Sequence, residues 1–167
     1  KGFGMRNQTI IPELLEWAED REEIDRLSLR KEELYRVIVR EKGLRPLPGV
    51  QNLLSELHKA DIPCAVASST PRKNITFALK HMGMKDTFDC IVAGEDVENG
   101  KPAPDVFLKA AHNLGMSPHQ CIVFEDTHVG IEAARKGHFA VVAASTTHPK
   151  ETLHDADRVI ECMGNIT

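Results

Sequence analysis

Polar residues that could handle a phosphoryl group follow directly after an apolar run near the middle of the sequence. The apolar run is residues 62–67, and Ser68, Ser69 and Thr70 come directly after it. Pro71, the next residue, marks the start of a helix. A helix N-terminus offers free backbone N–H groups and a partial positive charge, so it suits an anion, and hydroxyl groups add donors. Serine and threonine are also ordinary helix caps, and taken alone the segment fits a cap better than a binding site.

Two further polar sites follow later apolar runs. Lys101 lies in a turn rich in glycine and proline that leads into a helix near Ala103. A lysine in a rigid turn can reach a phosphoryl group as a point charge, although by itself the residue fits a solvated surface lysine better. Glu125 and Asp126 end the apolar run 121–124. Charges at the end of a buried strand need partners, and carboxylate oxygens suit Mg²⁺, yet an acidic pair alone is a weak signal.

The elements that must position these residues alternate between helical and extended patterns after residue 49. We predict helices over residues 50–57, 72–82, 103–114 and 130–136, and strands over residues 62–67, 88–93, 121–124, 139–144 and 158–161. Repeated strand–helix units predict a parallel sheet with helices on both faces. Ligands of such sheets bind where strands end and helices begin, so the polar sites should gather at one edge.

The N-terminal part has a different texture. Residues 9–43 are rich in Glu and Arg and predict two or three short helices, with an inner face at Leu14, Leu15, Ala18, Leu27, Leu34, Val37 and Ile38. The segment 45–49, with two prolines and a glycine, then breaks the helical pattern. We therefore predict a helical layer over residues 1–45 and an α/β core over residues 46–167.

Composition limits the classes of function. Of the 167 residues 41% are apolar and 28% are charged, with a net charge of −4, which is typical of a soluble globular protein. Without a basic run or a span of about 20 apolar residues, neither nucleic acid nor a membrane is an expected partner. The four scattered cysteines predict buried, reduced thiols rather than a metal site, and hence a reducing compartment.

The order of Ser68, Lys101 and the pair Glu125–Asp126 after successive strands resembles the second, third and fourth motifs of the haloacid dehalogenase (HAD) superfamily. The strings GKPAPDVF and VFEDTHVGIEAA resemble its β-phosphoglucomutase-like branch. This resemblance spans the whole chain and implies a Rossmann-like parallel sheet with a small helical cap. It also implies Mg²⁺ as cofactor and a small phosphorylated metabolite as substrate.

The family resemblance also assigns roles to individual residues. Ser68 would hydrogen-bond the transferring phosphoryl oxygens, with Ser69 beside it at the substrate, and Lys101 would offset their charge. Asp126 would bind Mg²⁺ directly, and Glu125 directly or through water. In the cap, the segment Lys1 to Arg6 matches a family pattern in which Arg6 contacts the far end of the substrate. From the residue alone, Arg6 is equally an exposed arginine at a helix entrance.

One family motif, Asp-x-Asp-Gly-Thr or Asp-x-Asp-Gly-Val, does not occur in the sequence. In the family its first Asp attacks phosphorus and forms an aspartyl-phosphate, which divides one difficult step into two easier ones. We expect this motif upstream of Lys1, in a strand between those that end at Ser68 and Glu125. The natural protein should then be longer, and the chain by itself inactive.

Three functions remain open from the sequence. The first is a phosphatase, and the strings RKEELYR, VASSTPRK, EDVENGKPAPDVF and TTHPKETL resemble plant-type phosphatases of riboflavin biosynthesis, which act on 5-amino-6-(5-phospho-D-ribitylamino)uracil. The second is a sugar-phosphate mutase, although Tyr35 is followed by Arg36 and Val37 where such mutases carry a cap lysine. The third is a non-catalytic binding module of the same fold. The expected compartment is the cytoplasm, or the plastid stroma in a plant, and the sequence does not determine the oligomeric state.

Overall fold

A computed structural model describes residues 2–166 as alternating helices and strands. The six helices are α1 (Asn7–Thr9, continued by a π-helical turn over Ile10–Leu14), α2 (Arg21–Lys42), α3 (Val50–Lys59), α4 (Arg72–His81), α5 (Asp105–Asn113) and α6 (His128–Lys136). The five strands are β1 (Ala65–Ala67), β2 (Cys90–Val92), β3 (Ile122–Glu125), β4 (Ala140–Ala144) and β5 (Arg158–Ile160). Every helix and strand predicted after residue 49 is present. Four strands are shorter than predicted at one or both ends, and β3 begins and ends one residue later than predicted.

The strands form two parallel sheets. In the first, β1 pairs with β2 in the register Ala65 to Cys90 and Ala67 to Val92. In the second, β4 lies between β3 and β5, and Ile122 of β3 is opposite Ala140. The predicted α/β class with a parallel, Rossmann-like arrangement is confirmed. Within residues 2–166 no ladder joins β1 to β3, so each of these strands pairs on one side only.

Helices cover both faces of the strands. The larger apolar cluster combines β2, β3 and β4 with α5 and α6, and its most buried members are Val92, Val106, Ile131, Ala133, Ala134, Val141, Ala143 and Leu153. The smaller cluster lies on the other face and contains Leu54, Ile75, Leu79, Met84 and Ala93. Ala65 and Ala67 face the larger cluster while Val66 faces the smaller one, because successive strand residues point to opposite faces.

The N-terminal helical layer differs from the sequence prediction. Two helices are present as predicted, α1 with its π-helical turn and α2, but α2 is a long helix of 22 residues rather than a short one. The Asp20 carboxylate caps the start of α2 by accepting from the Glu23 N–H at 3.0 Å. Four residues expected on the inner face are exposed: Leu15, Leu34, Val37 and Ile38. The buried face is instead partly polar, consisting of Ile24, Ser28, Glu32, Arg36 and Val39. Apolar periodicity failed here because the surface that α2 covers is itself polar.

The cysteines and the apolar character of the helices also bear on the sequence predictions. All four cysteines are free, as predicted, but they are half-buried rather than buried. Burial still raises the pKa of the Cys64, Cys90 and Cys121 thiols. Among the residues that the structure describes, no helix combines the length and apolar character needed to cross a membrane.

Candidate functional site

The loops that follow β1 and β3 meet at Gly4, in the segment Gly2–Arg6, which we call the cover segment. Ser69 Oγ, after β1, donates a hydrogen bond to the carbonyl oxygen of Gly4 at 2.7 Å. On the other side, a Cβ atom added to Gly4 would lie 2.6 Å from Oγ1 of Thr127, after β3. Gly4 also has a φ of +85°, which side chains rarely tolerate. A glycine is therefore required for the cover segment to lie across these two loops.

Arg6 attaches the cover segment to the loop after β2. Its Nη1 donates to the carbonyl oxygen of Glu98 at 2.9 Å and its Nη2 to that of Val97 at 3.0 Å. The buried Nε atom has no hydrogen-bond partner among residues 2–166. Arg6 therefore holds the loop that leads to Lys101, and contact with a substrate, which its position in the family pattern implies, stays a prediction.

Lys101 and Glu125 form a buried ion pair. The Lys101 Nζ atom contacts Oε1 of Glu125, and the two side chains are only 5% and 9% exposed. The ammonium also lies 4.5 Å from the ring centroid of Phe107, a cation–π contact. Lys101 is therefore not the solvated surface lysine that its turn alone allowed. Because the charges compensate each other, both can stay buried.

The other carboxylate oxygen of Glu125 is held by its own loop. Oε2 accepts from the backbone N–H groups of Asp126 and Thr127 at 3.0 and 3.1 Å, and from Oγ1 of Thr127 at 2.9 Å. Desolvation by burial is the largest single influence and raises the pKa of Glu125. The Lys101 charge and these hydrogen bonds together outweigh it, so the pKa is lowered from its ordinary value of 4.5. Glu125 is therefore a fixed anion.

Gly130 lets the first turn of α6 approach Glu125. A Cβ atom at position 130 would overlap the Glu125 carboxylate, so the backbone must pass without a side chain. Thr127 caps the same turn, because its Oγ1 accepts from the Gly130 N–H at 3.2 Å. The loop between β3 and α6 is thus built around one carboxylate.

The carboxylate of Asp126 is held by the loop after β4 rather than by Lys101. Its Oδ2 accepts hydrogen bonds from Oγ1 of Thr146 at 3.2 Å and from Oγ1 of Thr147, both of which follow β4. Its Oδ1 makes no hydrogen bond within residues 2–166. Asp126 is half-buried, so one carboxylate oxygen is available to a ligand.

Ser68 lies at the junction of β1 and α4. Its backbone N–H extends the β1–β2 ladder by donating to the Val92 carbonyl at 2.9 Å, and its Oγ accepts from the Thr70 N–H at 3.1 Å. No side chain of the 68–70 loop caps α4, because the capping position is Pro71 and the Arg72 N–H is held by Glu95. The cap interpretation of this loop is therefore wrong, and the Ser68 hydroxyl proton stays available.

A cavity of about 850 Å³ lies beside these loops. Its wall includes the cover segment, residues of α1 and its π-helical turn, one face of α2, the residues from Ser69 to Pro71 and part of the loop after β2. Lys101, Glu125 and Asp126 do not line it. The cavity and the carboxylate centre are therefore neighbours joined by the cover segment rather than one space.

The structure brings together some predicted site residues and separates others. Lys101 and Glu125 are in contact, and Arg6 and Ser69 border the same cavity. Ser68 and Asp126 form no hydrogen bond with Lys101 or with each other in the described part of the chain. Three threonines that were not predicted from the sequence hold the two acids: Thr127, Thr146 and Thr147. Polar residues directly after β3 and β4 were the signal that could have found them.

The fit of Mg²⁺ to these residues can be tested on the carboxylates. Residues 2–166 contain no group of three His, Cys, Asp or Glu side chains that could enclose a metal ion. Mg²⁺ commonly takes only one or two protein carboxylates and keeps water and phosphate oxygens for its other positions. Asp126 Oδ1 fits one such position, whereas both oxygens of Glu125 already accept hydrogen bonds.

Comparison with known proteins identifies close likenesses over nearly the whole chain. Residues 3–144 match the family model described as haloacid dehalogenase-like hydrolase. The chloroplastic 5-amino-6-(5-phospho-D-ribitylamino)uracil phosphatase of Arabidopsis thaliana is 35% identical over 98% of this chain, which spans 44% of that protein. A HAD hydrolase of family IA, variant 3, from Entamoeba histolytica has a TM-score of 0.88 at 29% identity, covering 99% of this chain and 76% of its own. A β-phosphoglucomutase from Clostridium difficile has a TM-score of 0.87 at 27% identity, covering 98% and 74%.

Proposed function

Because this chain belongs to the haloacid dehalogenase-like hydrolase family, we propose that it carries most of the active site of a magnesium-dependent phosphatase for a small phosphorylated metabolite. The observation that carries the proposal is the buried pair of Lys101 and Glu125, with Asp126 next in the chain and one of its oxygens available. A non-catalytic module of this fold would not need a buried ammonium at the end of its strands.

The proposed roles follow from the charges and donors. Lys101 is fixed by Glu125 with its ammonium at the strand ends, where it offsets negative charge that develops on the transferring phosphoryl group. Ser68 has a hydroxyl proton to donate to a phosphoryl oxygen, next to the N-terminus of α4. Donors fixed before the reaction stabilise the transition state without reorganisation, and this supplies most of the catalysis in phosphoryl transfer.

Magnesium fits the proposal through Asp126, whose Oδ1 would be a direct ligand. Glu125 would act through water or only by holding Lys101, because its oxygens are already engaged. When bound, Mg²⁺ supplies charge neutralisation at the phosphoryl oxygens. Thr146 and Thr147 keep the carboxylate of Asp126 oriented toward that position.

The nucleophile of the proposed reaction is a carboxylate on a strand between β1 and β3. Both strands pair on one side only within residues 2–166, and Ile122 and Phe124 of β3 are exposed although apolar. Such edges pair readily with a further strand. A strand inserted there would bring its carboxyl end between Ser68 and Glu125. Attack by its carboxylate on phosphorus would form an aspartyl-phosphate and break the P–O bond to the metabolite, which would leave with a free hydroxyl group. Water would then hydrolyse the aspartyl-phosphate to inorganic phosphate.

The division of the chain into two layers bears on which leaving group the enzyme accepts. We propose that residues 1–45 form a cap and residues 46–167 the core, with the 850 Å³ cavity between them admitting the leaving group, and with Arg6 and Ser69 at its wall. Among substrates, the Arabidopsis relative supports 5-amino-6-(5-phospho-D-ribitylamino)uracil, with a plastid as compartment.

A panel of phosphorylated metabolites tests the proposal. The protein that the gene encodes is incubated with each compound, with and without Mg²⁺, and the inorganic phosphate released is measured. We expect release that needs Mg²⁺ and falls at least about 100-fold in Lys101→Met and Asp126→Asn, because each removes charge stabilisation of the transition state. Lys136→Met, which removes an exposed charge, is the matched control.

Release that is unchanged in both site variants would refute the assignment. Faster interconversion of hexose phosphates than phosphate release would favour a mutase, and no turnover would favour a binding module.

A further inference from the structure

A buried cluster of polar side chains joins α2 to α4 outside the carboxylate centre. It consists of Asn7, Glu32, Arg36 and Asn74, which we call the polar latch, and none is more than 9% exposed. Nδ2 of Asn7 donates to Oε1 of Glu32 at 2.7 Å. Nδ2 of Asn74 donates to Oε2 of Glu32, and Oδ1 of Asn74 accepts from Nη1 of Arg36.

The latch has a single matching arrangement. Glu32 and Arg36 lie one turn apart on α2, so they present an anion and a cation to α4 on the same face. The amide of Asn74, 1% exposed, turns its N–H to the anion and its oxygen to the cation. A shift of α2 by one turn would place donor against donor, and an unpaired buried polar group is costly. The latch therefore fixes the register of α2 on α4.

The position of the latch connects this register to the cavity. Asn74 lies in the first turn of α4, which follows the 68–70 loop directly. Asn7, Glu32 and Arg36 line the 850 Å³ cavity, whose opposite wall includes Ser69 and Thr70. Fixing α2 on α4 therefore fixes the distance between these two walls.

We propose that Asn74 is a positioning residue that locks α2 across the cavity and so holds the α2 wall of the cavity in place. This inference goes beyond the proposed phosphatase activity and does not depend on it, because it is tested without turnover. Asn74, a buried residue of α4, thereby determines where the α2 wall of the cavity lies.

Reversing the polarity of the latch provides the test. Asn74→Asp places two carboxylates against each other, and Glu32→Gln places an amide N–H₂ against another. In the double variant the new carboxylate at position 74 accepts from Arg36 and from the new amide at position 32. The amide oxygen at position 32 still accepts from Asn7. The buried negative charge then moves from α2 to α4 and still lies beside Arg36, so the double variant should regain most of what each single variant loses. The contact of Glu32 with the exposed Lys31 is weakened in both Glu32→Gln and the double variant and contributes little.

Hydrogen exchange of the full chain, measured by mass spectrometry, is the readout. We expect both single variants to raise exchange of α2 amides at least about tenfold while α6 is unchanged, and the double variant to return within about threefold of the parent. Ser28→Ala is the matched control, since Ser28 is equally buried one turn before Glu32 but its hydroxyl has no partner among the described residues. It should leave α2 exchange unaltered.

The remaining outcomes either refute or support the proposed role of the latch. Equal increases in α2 and α6 would show ordinary global destabilisation and overturn the proposal, as would additive losses in the double variant. If a single variant does not fold, a folded double variant supports the latch, and an unfolded double variant refutes it.

Discussion

Replacing Lys101 by methionine tests the buried ion pair most directly. Methionine keeps much of the volume and the contact with Phe107 but removes the charge, so Glu125 would be left in a site only 9% exposed. Breaking a buried pair from one side typically costs 3–5 kcal/mol, and because three donors still hold Oε2 of Glu125 we expect about 3 kcal/mol. For a chain of this length that corresponds to a fall in Tm of roughly 6–12 °C.

The assay is urea unfolding at neutral pH, followed by circular dichroism, for a double-mutant cycle. Lys101→Met and Glu125→Gln are measured alone and together, and the pair should lose at least about 1 kcal/mol less than the sum of the singles. Lys136→Met is the control, because its partner Glu132 and Lys136 itself are each about half exposed and such a pair contributes no more than about 1 kcal/mol. If Lys101→Met costs no more than Lys136→Met, the ion pair does not hold this site together.

Three further expectations concern the same region and the thiols. Gly130→Ala should cost about 1–3 kcal/mol, because its Cβ would overlap Glu125, whereas Gly164→Ala meets only the Cys162 sulfur at 3.6 Å and should be nearly neutral in the same urea titration. The folded pKa of Glu125 is lowered from 4.5, so its carboxylate stabilises the fold above that pH and this contribution is lost as the pH falls through the folded value. The free energy of unfolding should therefore fall more steeply on acidification below pH 4.5 in the parent than in Glu125→Gln, and parallel curves would contradict this. Burial raises the pKa of the Cys121 thiol, so its alkylation, followed by peptide mass spectrometry, should be slower in the native chain than in urea, and equal rates would show an accessible thiol.

The helices and strands after residue 49 were predictable because each depends on neighbours in sequence. The repeat of Val50, Leu53, Leu54 and Leu57 specifies a helix wherever it packs, and the short apolar runs specify buried strands. The same logic failed for α2, where Leu34 and Ile38 were expected to face inward. The surface that α2 covers contains Asn74, and a polar surface selects Glu32 and Arg36 for the buried face.

In the candidate site, too, some features could be predicted from the sequence and others could not. Ser68, Lys101 and the acidic pair could be found in the sequence, because polar residues after apolar strands of a parallel sheet collect at one edge. Contacts within the site could not. That Lys101 neutralises Glu125, that Arg6 binds backbone carbonyls, and that threonines after β4 hold Asp126 all involve residues at least 20 positions apart.

The sequence by itself therefore determined the α/β class, the order of elements and the residue types at the strand ends, since these follow from local periodicity and from the geometry of parallel strands. The tertiary structure alone decided which charges are paired, which carboxylate oxygen is available and which face of α2 is buried. The physical reason is that a buried polar group is stable only with a partner, and the partner is supplied by whichever element folding brings beside it.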